Sequence, residues 1–404
     1  MAQDVARALA RALAALAPVR DILDGRVVDG ASPAWCEERG WTAFLAALED
    51  RELERCEAEG LAMYVAANGG APPSLRQLAR EVTEAACLPT RGGGALALLP
   101  PFLRAVPARK RLQMAALIHA VTPMARRAGR IVDVGAGRGH FTRIAAGIFD
   151  KEVLGLEREA PRVAAATALA SGAIGANFVT FDACRQELVF ERNDLAVGLH
   201  ACGEVGDRMI MAAARAGCDL ALVSCCLQKV DGPVRAPLSR MAAQAGLALR
   251  RETLGLTNLA ARSSGVETSL SATMEARRSR HALCSLLRGR GIRVDAGEEM
   301  RGINRRRARS GLAVLAAQAL ALRGLPPATD AELREHDAEA YRQFSLMRRL
   351  SLPRSMLARL AEVTVVLDRA VALEERGYEV EVTTFLEPSV TPRNIALFAS
   401  TLRA

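Results

Sequence analysis

Between residues 130 and 226 short apolar runs alternate with segments of helical period. The runs predict strands at 130–134, 152–157, 176–181, 194–200 and 219–225, the alternation that a parallel sheet wound on both faces requires. A long amphipathic pattern over 353–376 predicts a helix stopped by Gly377. Two more strands are expected after it, at 378–386 and near 394–400, separated by a Glu387-Pro388 turn. Upstream, helical segments are expected near 3–17, 41–65, 75–87 and 109–127. Breaks are expected at Gly69-Gly70-Ala71-Pro72-Pro73 and at Gly92-Gly93-Gly94.

These patterns divide the chain into four segments. Residues 1–105 read as an N-terminal helical module holding both tryptophans, Trp35 and Trp41, as core residues. Residues 106–226 read as the opening portion of an α/β core, 227–350 as a mostly helical insertion, and 351–404 as the helix and strands that close the core. No internal repeat and no long low-complexity tract is visible.

Composition changes the picture in three ways. No apolar run approaches the ~20 residues of a membrane span. Residues 1–16, with Asp4, Arg7 and Arg11 in an Ala/Leu pattern, read as an amphipathic helix and not a signal peptide, so a cytoplasmic protein is expected. The nine cysteines are scattered, as in a reduced compartment. The net charge of +9 admits a nucleic-acid partner. Yet only Lys110, Lys151 and Lys229 among 54 basic residues are lysine, a skew that reflects a GC-rich genome more than selection for guanidinium chemistry. The insertion concentrates this charge in Arg277, Arg278, Arg280, Arg288, Arg290 and Arg293, then Arg301, Arg305, Arg306, Arg307 and Arg309. They read either as a phosphate-contacting surface or as a solvated helix face.

The chemistry begins at the first strand. Asp133 lies two residues before the turn Gly135-x-Gly137-x-Gly139, and a helical segment follows at once. Glycines let the backbone turn tightly against a ligand, and the new helix offers free N–H groups to an anion. The dinucleotide pattern G-x-G-x-x-G would need glycine at 140, where the chain has His140. The second run ends in Glu157, where a carboxylate can accept from both hydroxyls of a ribose, and the third is followed by Asp182. This acid-tipped series resembles the class I S-adenosylmethionine (SAM) methyltransferases. The resemblance implies a Rossmann-like seven-stranded sheet and SAM as cofactor. It also implies that Asp133 holds the methionine end and Asp182 the adenine amino group, with Gly135, Gly137, Gly139 and Glu157 completing the site.

Ligands of such sheets bind beyond the carboxyl ends of the strands, so the fourth and fifth strands should face the methyl acceptor. Their ends read Leu199-His200-Ala201-Cys202-Gly203 and Cys225-Cys226-Leu227-Gln228-Lys229. The Asn/Asp-Pro-Pro-aromatic signature of amino-group methyltransferases is absent. These two blocks, with Glu387-Pro388-Ser389-Val390-Thr391-Pro392-Arg393-Asn394, resemble the methyltransferase-like proteins named after rRNA adenine dimethylases. They are also similar to tRNA 2′-O-methyltransferases with Lys-His-Leu-Cys-Gly and paired-cysteine blocks. The resemblance covers 109–230 and 354–402. It departs at Arg109-Lys110-Arg111-Leu112-Gln113, where the family has Lys-Lys-x-His-Glu, and at Leu227, where it has tyrosine or histidine.

The resemblance favours RNA, tRNA or rRNA, as acceptor, with no DNA and no membrane partner expected. Three mechanisms fit the acceptor block of His200, Cys202, Cys226 and Lys229. His200 or Lys229 orients or deprotonates a hydroxyl for direct transfer. Alternatively, Cys202 or Cys226 attacks a pyrimidine ring. In the third, His200, Cys202 and Cys226 bind zinc. Cysteines that merely pack at strand ends are the plain alternative. Direct transfer is the expectation, with no metal required. The rival functions are a protein or small-molecule O-methyltransferase and an RNA-binding protein that keeps the fold without turnover.

Overall fold

A computed structural model describes the chain except residues 1–3, 29, 92–93, 95, 97, 99–102, 104, 173, 261–269, 295–296, 387–390, 392 and 402–404. The side chains of 109, 200, 259–260, 270 and 305 also lie outside the description. The chain folds as two compact units. The first comprises residues 1–20, 80–264 and 357–404, and the second comprises 21–79 and 265–356.

The first unit is built on a seven-stranded sheet. Its strands are β1 (Arg130–Val134), β2 (Val153–Glu157), β3 (Ala176–Thr180), β4 (Asp194–Cys202), β5 (Asp219–Cys225), β8 (Tyr378–Thr384) and β9 (Ile395–Thr401). Two further short strands, β6 (Val234–Arg235) and β7 (Leu249–Arg250), pair as a separate ribbon. The sheet order is β3-β2-β1-β4-β5-β9-β8, with β9 antiparallel to both neighbours and the rest parallel. This is a Rossmann-like methyltransferase sheet. Side chains alternate across each strand. Ile131, Leu195, Val197, Ala221, Val223, Ala396 and Phe398 therefore share one face, packed on helices Ala108–Arg127 and His140–Phe149. The other face carries helices Gly203–Ala216 and Ala358–Glu374. β5 is consequently buried at every residue, as expected of a strand covered on both sides.

Several expected elements are refined. The single helix anticipated over 41–65 is three short ones, Thr42–Ala46, Asp50–Glu59 and Leu61–Ala67. A reciprocal Glu49/Glu52 capping box starts the second, and Gly60, at φ +97°, ends it. The helix anticipated over 353–376 is interrupted at Leu357.

The two units also cut the chain at places the sequence pattern does not mark. Helix Val5–Leu16 packs on Ala358–Glu374 and belongs to the sheet unit, as does the whole of 227–260. Asp368 fixes the latter, since it accepts from the amides of Leu238 (3.0 Å) and Ser239 (2.9 Å). Segment 21–79 instead joins the second unit. There the buried Arg349 donates to Leu48 O at 2.8 Å and to Asp50 Oδ1 at 2.7 Å, and Arg348 pairs with Glu57. Helices Leu270–Gly289, Gly311–Ala321 and Asp330–Leu350 supply that unit's apolar core. Trp35 and Trp41 are buried in this unit, as expected of core residues. Among the described residues no helix is long and apolar enough to cross a membrane.

Candidate active site

The glycine turn connects β1 to helix His140–Phe149 in left-handed backbone, with Gly135, Gly137 and Gly139 at φ +80°, +61° and +68°. A side chain at Gly139 would place its Cβ 2.3 Å from the Phe178 ring. At Gly135 and Gly137, among the described residues, nothing beyond the immediate neighbours comes closer than 3.9 Å to such a Cβ. The turn is tight where it packs on β3 and bare elsewhere, so a ligand can approach its backbone.

Two carboxylates close this region. Glu157 ends β2, is 7% exposed, and accepts the amides of Gly137 (2.9 Å) and Glu159 (3.0 Å). One bond falls on each oxygen, which leaves each a second lone pair for a hydroxyl. Asp133 is buried, accepts the Thr142 hydroxyl at 2.6 Å, and so pins the new helix to β1. Burial pushes its pKa up to about 6, with nearby Glu157 adding to the rise against the Thr142 hydrogen bonds. Asp182 lies two residues beyond β3 and accepts the Cys184 amide at 2.9 Å, in a turn of its own.

His140 is the first residue of the helix that follows the glycine turn. Its ring is 7% exposed and its Nδ1 has no partner among the described residues. Burial, reinforced by Lys110, Arg143 and Arg138, draws its pKa down to about 4, so the imidazole is neutral. Its only signal in the sequence is its place, where a dinucleotide site has glycine.

On the acceptor side β4 and β5 run parallel to β1, with β4 beside it and β5 next, so their ends meet the same sheet edge as the glycine turn. Cys202 and Cys225 face each other in register, with sulfurs 2.8 Å apart. Cys226 joins them, and the three sulfurs lie within 4.8 Å of one another. Cys225 is absent from the expected site residues, although the cysteine doublet signals it. Hydrogen bonds from Cys202 and Cys225 draw the Cys226 pKa down, and Arg393 and Lys229 act in the same direction. Lys229 is exposed, and its carbonyl accepts the Glu204 amide at 2.8 Å. That carbonyl would lie 2.1 Å from a Cβ at Gly203, so only glycine fits after Cys202. His200 sits on β4, its side chain outside the description. Of the C-terminal block, residues 387–390 and 392 lie outside the described residues. Arg393 donates to Asn258 Oδ1 at 2.5 Å, and Asn394 donates to Leu386 O.

A buried charge network, also unforeseen, supports this edge. Arg369 is wholly buried and donates to Asp207 (2.7 Å), Ser224 Oγ (2.8 Å) and Gly203 O (2.8 Å). Arg235 bridges Asp207 and Asp368. The residues beside Cys202 and Cys225 are thereby fixed from below.

Residues 109–233 match the family model of a methyltransferase domain. This matched segment carries the fold of a methyltransferase domain. Its donor set suits the cofactor: a bare glycine turn, and an acid with spare lone pairs at the tip of β2. Among solved structures, the chain is similar to TrmN from Thermus thermophilus, at 22% identity over 34% of this chain and 46% of that one, TM-score 0.25. It is similar to YjhP from E. coli, at 14% identity over 76% and 100%, TM-score 0.27. It is also similar to the plantazolicin methyltransferase BpumL in complex with SAH, at 14% over 43% and 61%, TM-score 0.23. The chain thus spans less than half the length of TrmN. No curated protein matches it in sequence.

Proposed function

We propose that the protein transfers the methyl group of SAM to RNA, tRNA or rRNA, by direct attack of the acceptor. The observation that carries this reading is the strand order: β1, β4 and β5 are consecutive and parallel, so the glycine turn and the acceptor block share one sheet edge. When bound, SAM supplies an electrophilic methyl group on a sulfonium. Gly135, Gly137 and Gly139 shape its seat, Glu157 accepts from the ribose hydroxyls, and Asp182 takes the adenine amino group. Asp133 fixes the helix start, and its carboxylate favours the cationic amine of the methionine end. His200 orients or deprotonates the acceptor hydroxyl, Lys229 contributes positive charge, and Cys202 and Cys226 line the acceptor side.

RNA is supported by the resemblance of the acceptor blocks and by the arginines of the second unit. The structure narrows the latter. Arg278, Arg280 and Arg290 are held by Glu275, Glu299 and Glu332, Arg288 donates to Val294 O, and Arg293, Arg301, Arg306 and Arg307 are exposed. Transfer of labelled methyl from SAM to RNA, protein or extract metabolites tests the acceptor class. With RNA, His200→Ala lowers turnover far more than it lowers SAM affinity. Each charge reversal at Arg306 or Arg307 reduces the salt slope of RNA binding by roughly one. Labelling of protein or metabolites alone, or an RNA adduct trapped by a 5-fluoropyrimidine, refutes direct transfer to RNA.

A further inference from the structure

We propose that Cys202, Cys225 and Cys226 form a three-thiolate site for one thiophilic divalent ion, zinc, at the adjoining ends of β4 and β5. The backbone creates the juxtaposition. Cys202 and Cys225 are register partners on neighbouring parallel strands, and Cys226 follows where β5 turns away. Three sulfurs bound at about 2.3 Å to one tetrahedral ion lie about 3.8 Å from each other. All three sulfurs lie within 4.8 Å of one another, and the Cys202 and Cys225 sulfurs, 2.8 Å apart, have to open by about 1 Å to take an ion between them. Among the described residues no other group of three or more cysteine, histidine or acidic side chains meets this spacing.

The surroundings fit a thiolate cluster. Cys202 stands at the N-cap position of helix Gly203–Ala216, without a side-chain cap bond, and the positive end of that helix favours a sulfur anion. Three thiolates exceed the charge of the ion by one, and Arg393 and Lys229 supply compensating positive charge at Cys226. Binding replaces each remaining S–H proton, released to solvent, with a sulfur–zinc bond. The frame is rigid, because Arg369 ties Ser224 to Gly203 on either side of the pair. The fourth position is left to water, the arrangement of an open zinc site. Gln228, two residues on, carries a buried Oε1 with no partner among the described residues.

The site stands on the geometry of β4 and β5 whether or not methyl transfer occurs there. The full chain, purified without chelator from zinc-supplied cells, should retain about one zinc per chain by elemental mass spectrometry. Cys225→Ser and Cys226→Ser should each lose it, and Cys87→Ser, an exposed thiol elsewhere, should keep it. Cobalt(II) added to the stripped wild type should give a sulfur-to-cobalt charge-transfer band that Cys226→Ser lacks. This second readout serves if Cys225→Ser does not fold. Absence of both zinc and the cobalt band in the wild type, or full zinc retention by folded Cys226→Ser, overturns the proposal. SAM calorimetry on the same samples separates the two readings. Zinc without SAM affinity defeats the methyltransferase reading, and SAM affinity with neither zinc nor the cobalt band defeats this one.

Discussion

Glu157, at the end of β2, holds the amide of Gly137 at 2.9 Å, so the acid assigned to the ribose also shapes the glycine turn. Its loss acts twice, once on the ligand and once on the loop that seats it. Glu157→Ala should weaken SAM binding by roughly 1–3 kcal/mol, the range of charge-assisted hydrogen bonds. Gly137→Val should nearly abolish binding, because a branched residue resists the φ of +61° found there. Titration calorimetry on folded variants checks both, and unchanged affinity in the pair refutes the cofactor assignment.

Asp133 makes the ligand-free protein sensitive to pH in a defined direction. Its pKa rises from the ordinary 3.8 to about 6 on folding, chiefly through burial. The folded state therefore holds this proton more tightly than the unfolded chain. The resulting stability is fully present below pH 3.8 and is lost as pH rises through about 6. Asp133→Asn should stabilise the ligand-free protein at pH 8 by on the order of 1–3 kcal/mol, and hardly at all at pH 4. Urea unfolding at both pH values measures this, and an equal gain at each refutes it.

Arg369 is a keystone of the acceptor edge. Removing its guanidinium leaves Asp207 with one cation where it had two, and strips Ser224 and Gly203 of their donor. Arg369→Met should cost about 3–5 kcal/mol, as breaking buried ion pairs does. Arg369→Lys should recover only some of the loss, since one ammonium cannot span three partners. Equilibrium unfolding decides, and a loss well under about 1 kcal/mol for the methionine variant contradicts the role.

The sequence was most legible where its periods are local. The strands anticipated at 130–134 and 219–225 are β1 and β5, and those at 378–386 and 394–400 are β8 and β9 within a residue or two. The glycine turn was legible for the same reason: φ and spacing are encoded in adjacent residues. Partnerships between distant residues were not. Nothing near Arg369 announces Asp207, which lies 162 positions away, or Ser224, at 145. Helix Val5–Leu16 shows an apolar face but not which surface covers it, so its place on Ala358–Glu374 emerged only in the fold. Cys225 is left out of the expected site because a thiol on a buried strand reads as packing until its register partner is known.

The position of β9 between β5 and β8 sets an order of events on the ribosome. Residues 220–223 of β5 pair with 396–399 of β9, yet residues 226–394 must be translated in between. At typical synthesis rates that stretch takes roughly 10–30 seconds. Through that interval β5, apolar and destined for burial at every residue, has a hydrogen-bonding edge without its partner. A message cut short before codon 395 would lack β9 and leave the β5 edge of the sheet unpaired, the kind of edge that invites pairing with another chain.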